Sequence, residues 1–224
     1  MRKIDCNDIN KQAIMIIKSF PRIHSQKDPF KVLIVTILSQ RSKDENTEVA
    51  AKQLFEKYKD ISEISKANPE DLYDLIKPAG LYKEKAQRIV LVANILLQKY
   101  KGKVPDNFEE LIKLPGVGRK TANIVLYIGF GKEALAVDTH VHRISNRIGW
   151  VKTKTPEQTE EELKKILVPS LWGPINGSMV EFGKKVCKPI SPKCESCFLN
   201  DCCQYFKSYK LSSKTTSLKK MPVL

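Results

Sequence analysis

A chain of 224 residues, 42% hydrophobic and 29% charged, is long enough to bury one large core or two modest ones and has the make-up of a folded globular protein. Its formal net charge of +14 points to a polyanionic partner, and because residues 207–224 hold five lysines and no acid, +9 remains on the rest of the chain. The longest apolar runs, Val32 to Leu38 and Ile89 to Leu97, are too short to span a bilayer, and Met1 to Asn10 lacks the apolar segment of a secretion signal, so a soluble intracellular protein without membrane contact is expected.

Ile9, Ala13, Ile16, Ile17 and Phe20 recur at helical spacing, and Pro21 ends that first helix. Asp28-Pro29, Asn68-Pro69 and Thr155-Pro156 each put a capping residue before a proline at the first helical position, and Thr155 with Gln158 fits a capping box. Further helices are predicted over Lys43 to Tyr58, Ile61 to Ala67 and Lys83 to Tyr100. No stretch alternates apolar and polar residues convincingly, so the chain reads as all-α, with about ten or eleven helices joined by short loops. Residues 207–224, rich in Lys, Ser and Thr, are expected to form a flexible basic tail, either simply solvated or tethering DNA.

The stretch from Asn107 to His140 organises the rest. Phe108, Leu111, Ile112 and Leu114 form a short helical pattern, Pro115-Gly116-Val117-Gly118 breaks it, and Thr121 to Phe130 resumes an apolar-periodic helix. Gly116 and Gly118 let the turn adopt positive φ and leave backbone N–H groups uncovered at the start of the second helix, a seat for phosphate. Arg119 and Lys120 stand just inside that helix. Lys120 is either a phosphate contact or a nucleophile; an amine attacks only when unprotonated, and the helix N-terminus and Arg119 both disfavour the ammonium form. Asp138 opens the run Asp-Thr-His-Val-His-Arg, where it is a helix cap, a catalytic carboxylate, or both.

Five of the six cysteines fall between Cys187 and Cys203. In a reducing compartment that crowding favours metal binding over disulfides, and the spacing of Cys187, Cys194, Cys197 and Cys203 leaves zinc and iron–sulfur both open. Cys202 sits where it could replace Cys203, and Cys6 reads as a bystander. Lys184, Lys185, Lys188 and Lys193 form a basic run around this loop, either a solvated face or a set of phosphate contacts. His140 and His142, two apart on a helix, do not share a face and are read as structural or phosphate-proximal, and Trp150 and Trp172 as core.

Three motifs in one order, LPGVGRKTAN, VDTHVHR and a terminal four-cysteine loop, resemble the helix-hairpin-helix DNA glycosylases of the iron–sulfur type, the endonuclease III family, over nearly the whole chain as far as Tyr205. The resemblance implies two helical lobes with a DNA-binding cleft between them. One would be a helical barrel over residues 23–132 containing the hairpin at 107–130; the other, residues 1–22 with 133–206, would be the cluster domain, followed by the tail at 207–224. It further implies a [4Fe–4S] cluster on Cys187, Cys194, Cys197 and Cys203, with Cys203 rather than Cys202 as the fourth ligand. Lys120 becomes the nucleophile and Asp138 its catalytic partner across the cleft. Gly116, Gly118, Arg119, Lys184, Lys185, Lys188 and Lys193 become DNA contacts.

A glycosylase must also fill the gap left by the nucleotide it extrudes. Gln40 and Leu81 resemble the family's gap-fillers, although from sequence alone they read as a helix C-terminal cap and an ordinary packing contact. The implied protein is a monomeric bifunctional DNA glycosylase and abasic-site lyase of the cytoplasm or nucleoid. It would act on double-stranded DNA containing oxidised pyrimidines or abasic sites and cut 3′ to the lesion by β-elimination. Related mismatch glycosylases lack the lysine, and 8-oxoguanine relatives lack the cluster loop. The alternative from another class is a non-catalytic DNA-binding module with structural zinc, which would be colourless where an iron–sulfur protein is brown.

Overall fold

Asp8 opens helix α1 (Ile9–Ser19) by accepting the Lys11 amide at 2.9 Å, and Asp28 opens α2 (Pro29–Leu38) in the same way from the Lys31 amide at 3.0 Å. Pro29 stands in the first turn of α2, where its missing N–H leaves no bond unmade. The sequence of α2, PFKVLIVTIL, has almost no polar face, and such a helix is stable only when surrounded. In the computed structural model of the protein, which describes residues 5–208, Phe30, Val32, Leu33, Ile34, Thr36, Ile37 and Leu38 are all buried. Every regular element among the described residues is helical, with no strand.

The chain divides into two compact units, His24–Ala136 and a second made of the residues up to Ile23 together with those from Val137 onward. In the first, α2 packs against α3 (Asp44–Lys57), and α4 (Ile61–Ser65) packs against the long α6 (Tyr82–Tyr100). Ala86, Ile89, Val90, Val92, Ala93 and Leu96 give α6 its buried stripe at helical spacing. Each fully buried Ile or Leu of this core contributes about 1.5–3 kcal/mol through area removed from water. A π-helical turn, Val125–Gly129, extends α8 (Arg119–Ile124) and packs on α2, with Gly129 so near Pro29 that a Cβ there would lie 2.9 Å from the proline Cα.

Asn68-Pro69 opens a 3-10 turn, Pro69–Leu72, and not a full helix. The four-residue α5 (Tyr73–Ile76) follows, and a second 3-10 turn, Lys77–Ala79, contains Pro78, which cannot continue an α-helix.

In the second unit, α1 packs against α11 (Trp172–Lys185), which also packs on α9 (Thr139–Ile148); α10 (Pro156–Ile166) packs on α9. The Trp150 indole donates to Gln12 Oε1 at 2.8 Å, both side chains being buried, and Phe20, Phe182 and Phe198 form a ring cluster. Trp172 is half-buried, its indole donating to the Leu167 carbonyl at 2.9 Å. The expected capping box at Thr155 is displaced: Thr155 Oγ1 accepts the Gln158 amide at 3.3 Å, but Gln158 Oε1 accepts from Lys154, one residue before the cap, at 3.0 Å.

Cys6 is no bystander, since it forms a disulfide with Cys202, 196 residues away, their Cα atoms 5.0 Å apart. That bond removes Cys202 from the candidate metal ligands. Of the basic tail only Lys207 and Ser208, in a short helical turn, fall within the described residues; the rest of that expectation lies outside them. Among the described residues no helix is long and apolar enough to cross a membrane.

Candidate active site and metal-binding loop

The hairpin begins at Asn107, whose side chain accepts the Glu110 amide at 2.9 Å and starts α7 (Phe108–Leu111). Leu111, Leu114 and Val117 are buried, so both arms of the turn are pinned to the core beneath, while Gly116, Gly118, Arg119 and Lys120 are exposed. Gly116 takes φ +75°, as the turn requires. It also admits Arg88, because a Cβ at Gly116 would stand 2.0 Å from Arg88 Cδ.

Gly118 departs from expectation: its φ is −92° with ψ −180°, extended backbone open to any residue. It is the N-cap of α8, so an extended conformation is what its position demands. Its lack of a side chain matters in another way, because no side-chain cap covers the first turn of α8, and a Cβ there would meet nothing within 4 Å. Lys120 is the second residue of that uncapped turn. Arg119 lies with its guanidinium 5.0 Å from the centre of the Phe108 ring, a cation–π contact that fixes its direction.

Gln40 lies two residues beyond α2 and is not only a cap, its backbone amide donating to the Ile37 carbonyl at 3.3 Å. Its Nε2 donates to the Gly116 carbonyl at 2.9 Å, and its Oε1 accepts from Arg88 at 3.0 Å. Leu81 is not a buried packing contact either; it is 46% exposed, at φ +49°, directly after Gly80 at φ +67°. A left-handed leucine is costly, and it is held here as the residue before α6. Both candidate gap-fillers are thus presented by unusual local backbone or by long-range bonds.

Asp138 is the N-cap of α9, and its Oδ1 accepts the amides of His140 and Val141, both at 2.9 Å. His140 packs against α11, where a Cβ on Gly183 would lie 2.3 Å from its Nδ1, and His142 Nδ1 lies 2.7 Å from Thr159 Oγ1.

Further along α9, Arg143 donates to the Cys187 carbonyl at 3.0 Å and Arg147 to the carbonyls of Lys188 and Pro189 at 2.6 and 2.8 Å. The two arginines are four apart, so both reach the same loop from one helix face. Arg147 also stacks on Tyr205 at 4.6 Å. Cys187, Cys194, Cys197 and Cys203 are free thiols lining one pocket that opens to solvent. No three His, Cys, Asp or Glu side chains among the described residues are arranged to hold a single metal ion. Burial pushes the thiols of Cys194 and Cys203 up, and that of Cys197 up to about 11, so thiolates there would need a cationic partner.

Residues 34–169 match the family model of the HhH-GPD superfamily base excision DNA repair proteins. The chain is 65% identical to the endonuclease III of Thermotoga maritima over 199 residues, 89% of this chain and 93% of that protein. It is 40% identical to the endonuclease III of Rickettsia conorii, over 90% of this chain and 98% of that one. The chain belongs to the HhH-GPD superfamily, in its endonuclease III family. A solved structure of a trapped endonuclease III–DNA covalent intermediate matches with a TM-score of 0.84 at 37% identity, covering 93% of this chain and all of that one. An endonuclease III is a DNA glycosylase with abasic-site lyase activity, and that is the function of this chain.

Within this endonuclease III fold the predicted residues fall into two groups. Gln40, Gly116, Gly118, Arg119 and Lys120 gather around the hairpin, with Leu81 on its own loop; Asp138, the four thiols and the basic run belong to the second unit. Lys188 and Lys193 are exposed on the loop, whereas Lys184 and Lys185, at the end of α11, lie 3.9 and 3.5 Å from the carboxylate of Glu181. Sequence reasoning passed over Arg88, Arg143 and Arg147. The arginine in Val-Asp-Thr-His-Val-His-Arg and the one four residues later were the available signal.

Proposed function

We propose that this endonuclease III uses Lys120 as a Schiff-base nucleophile to excise oxidised pyrimidines from duplex DNA and then cuts the strand on the 3′ side of the lesion. The observation that carries the reading is the exposed Lys120 in the second position of a helix whose first-turn amides have no side-chain cap, reached through a glycine turn. Such a turn suits phosphate, and it would hold the strand while presenting the amine to the sugar.

The unprotonated Nζ attacks C1′ of the extruded nucleotide as the glycosidic bond breaks, and the base leaves with the bonding electrons and takes up a proton. Loss of the amine protons and opening of the sugar ring give the Schiff base. Removal of a C2′ proton then drives β-elimination: the C3′–O bond breaks and the 3′ phosphate departs. Asp138 stabilises the positive charge developing on the sugar and assists the proton transfers. Its capping bonds engage Oδ1, leaving Oδ2 for that work. Gln40 and Leu81 fill the space in the stack, and Arg119, Lys188 and Lys193 neutralise phosphates.

The thiols of Cys187, Cys194, Cys197 and Cys203 suit a [4Fe–4S] cluster, because four free cysteines line one pocket and four thiolates are the ligand set such a cluster takes. These four cysteines would hold such a centre, and the metal–sulfur bonds it would supply would pin the basic loop. The protein is taken to work as a monomer on DNA.

Borohydride reduction in the presence of an abasic-site duplex tests the nucleophile. Wild type should yield a covalent protein–DNA adduct and Lys120→Ala none; an equal yield from both excludes Lys120.

A further inference from the structure

Lys85 heads the largest side chains buried within the protein, at 2% exposure. Among the described residues no carboxylate is paired with it. Its ammonium donates to two carbonyls, Leu38 at 2.7 Å and Ala79 at 2.9 Å, and the like-charged Arg88 acts on it from one turn along α6. Lysines are rarely buried unpaired, and an apolar side chain of similar volume would fill the space at lower cost. Burial and, second, Arg88 push its pKa below the ordinary lysine range, while the two carbonyl acceptors favour the ammonium.

The two carbonyls explain why a cation sits there. Leu38 is the last residue of α2, and Ala79 is the last of the 3-10 turn Lys77–Ala79; terminal carbonyls of this kind lack intrahelical partners. Two residues after Leu38 the chain reaches Gln40, and two residues after Ala79 it reaches Leu81. The Lys85 backbone amide also donates to the Leu81 carbonyl at 3.0 Å. One turn along α6, Arg88 holds Gln40 Oε1 at 3.0 Å and fills the space that Gly116 leaves free.

We propose that Lys85 is a positioning residue that sets the spacing between Gln40 and Leu81, tying the two gap-filling loops to one end of α6. The proposal rests on the gap-filling roles given to those residues above. Lys85 touches neither sugar nor base. It decides how well the protein holds open a paired duplex, and it has no part in the chemistry at C1′.

Two substrates separate these roles: a duplex carrying one oxidised pyrimidine, and a single-stranded oligonucleotide carrying an abasic site, where there is no stack to hold open. With Lys85→Met, strand cutting of the duplex under single-turnover conditions should slow about tenfold or more, as misplacement of positioning groups does, while cutting of the single strand should change by less than about twofold. The loss should shrink in a Leu81→Ala background, since the two residues act as a unit. Equal slowing on both substrates, or none on either, overturns the proposal.

Should Lys85→Met fail to fold by circular dichroism, Lys85→Arg carries the test. It keeps the charge but spreads the two carbonyls apart, so the same selective loss on duplex is expected, and a matched loss on both substrates, or none, overturns the proposal. If wild type itself leaves no borohydride adduct on the single strand, the lyase reading fails first, and this proposal falls with it.

Discussion

The side-chain amide of Gln40 donates to the carbonyl of Gly116 at 2.9 Å across 76 residues of sequence, so a loop after one helix buttresses the turn between two others. Arg88 completes the arrangement by binding Gln40 and occupying the space a side chain at 116 would need. Gly116→Ala therefore meets both a positive φ and a 2.0 Å collision with Arg88 Cδ. It should lower unfolding free energy by about 1–3 kcal/mol in denaturant titrations. Gly118→Ala, in extended backbone with open space around it, should cost under about 1 kcal/mol and weaken DNA affinity by masking the first amides of α8.

Asp138 caps α9 and is also proposed as a catalytic carboxylate, and two substitutions separate these functions. Asn retains an oxygen for the His140 and Val141 amides, so Asp138→Asn should match wild-type stability within about 0.5 kcal/mol while base excision falls about a hundredfold or more. Asp138→Ala should lose the same activity and a further ~1 kcal/mol of stability. Full activity in Asp138→Asn, read by single-turnover excision, would leave the residue with capping alone.

The loop lysines make a salt-dependent prediction. Neutralising a phosphate displaces condensed counterions, so each contact contributes about 0.9 to the slope of log K against log salt concentration. Lys188→Ala and Lys193→Ala should each reduce that slope by about 0.9. Lys184→Ala and Lys185→Ala should reduce it less, because Glu181 already lies near both ammonium groups. Fluorescence anisotropy with a labelled duplex at several salt concentrations measures all four.

What the sequence made legible was local. The caps at Asp28 and Thr155, the buried stripe of α6 and the bare apolar face of α2 follow from patterns spanning fewer than about ten residues, where side-chain type and backbone requirement coincide. The hairpin was legible because glycine and proline mark its break. The ties that hold the site are of another kind. Lys85, Arg88, Arg143 and Arg147 all bind distant carbonyls or a side-chain amide, and a backbone carbonyl leaves no imprint on residue identity. The same holds for Cys6, whose partner is 196 residues away and whose neighbours carry no cue to it. Gly118 misled for a different reason: glycine suits both a left-handed turn and an uncovered helix N-cap, and composition does not say which.

The Cys6–Cys202 bond adds a prediction about the metal loop beside it. Removing a cross-link that closes so long a loop typically costs about 2–4 kcal/mol, so Cys6→Ser should melt earlier than wild type by calorimetry. If the four free thiols hold the proposed cluster, Cys202 being committed to Cys6, iron content per chain should not change in Cys6→Ser. In Cys203→Ser, which removes one of the four free thiols, it should collapse. Peptide mapping without reductant should recover the two cysteines in one linked fragment.

That bond also brings the first and last parts of the described chain side by side, with Cα atoms 5.0 Å apart. A body tied in this way can be rewired: a linker from Ser208 back to Asp5, keeping Cys203 and Phe206 in place, with new ends opened at the Lys101–Lys103 bend, would give a circular permutant with the same helix neighbours in a different chain order.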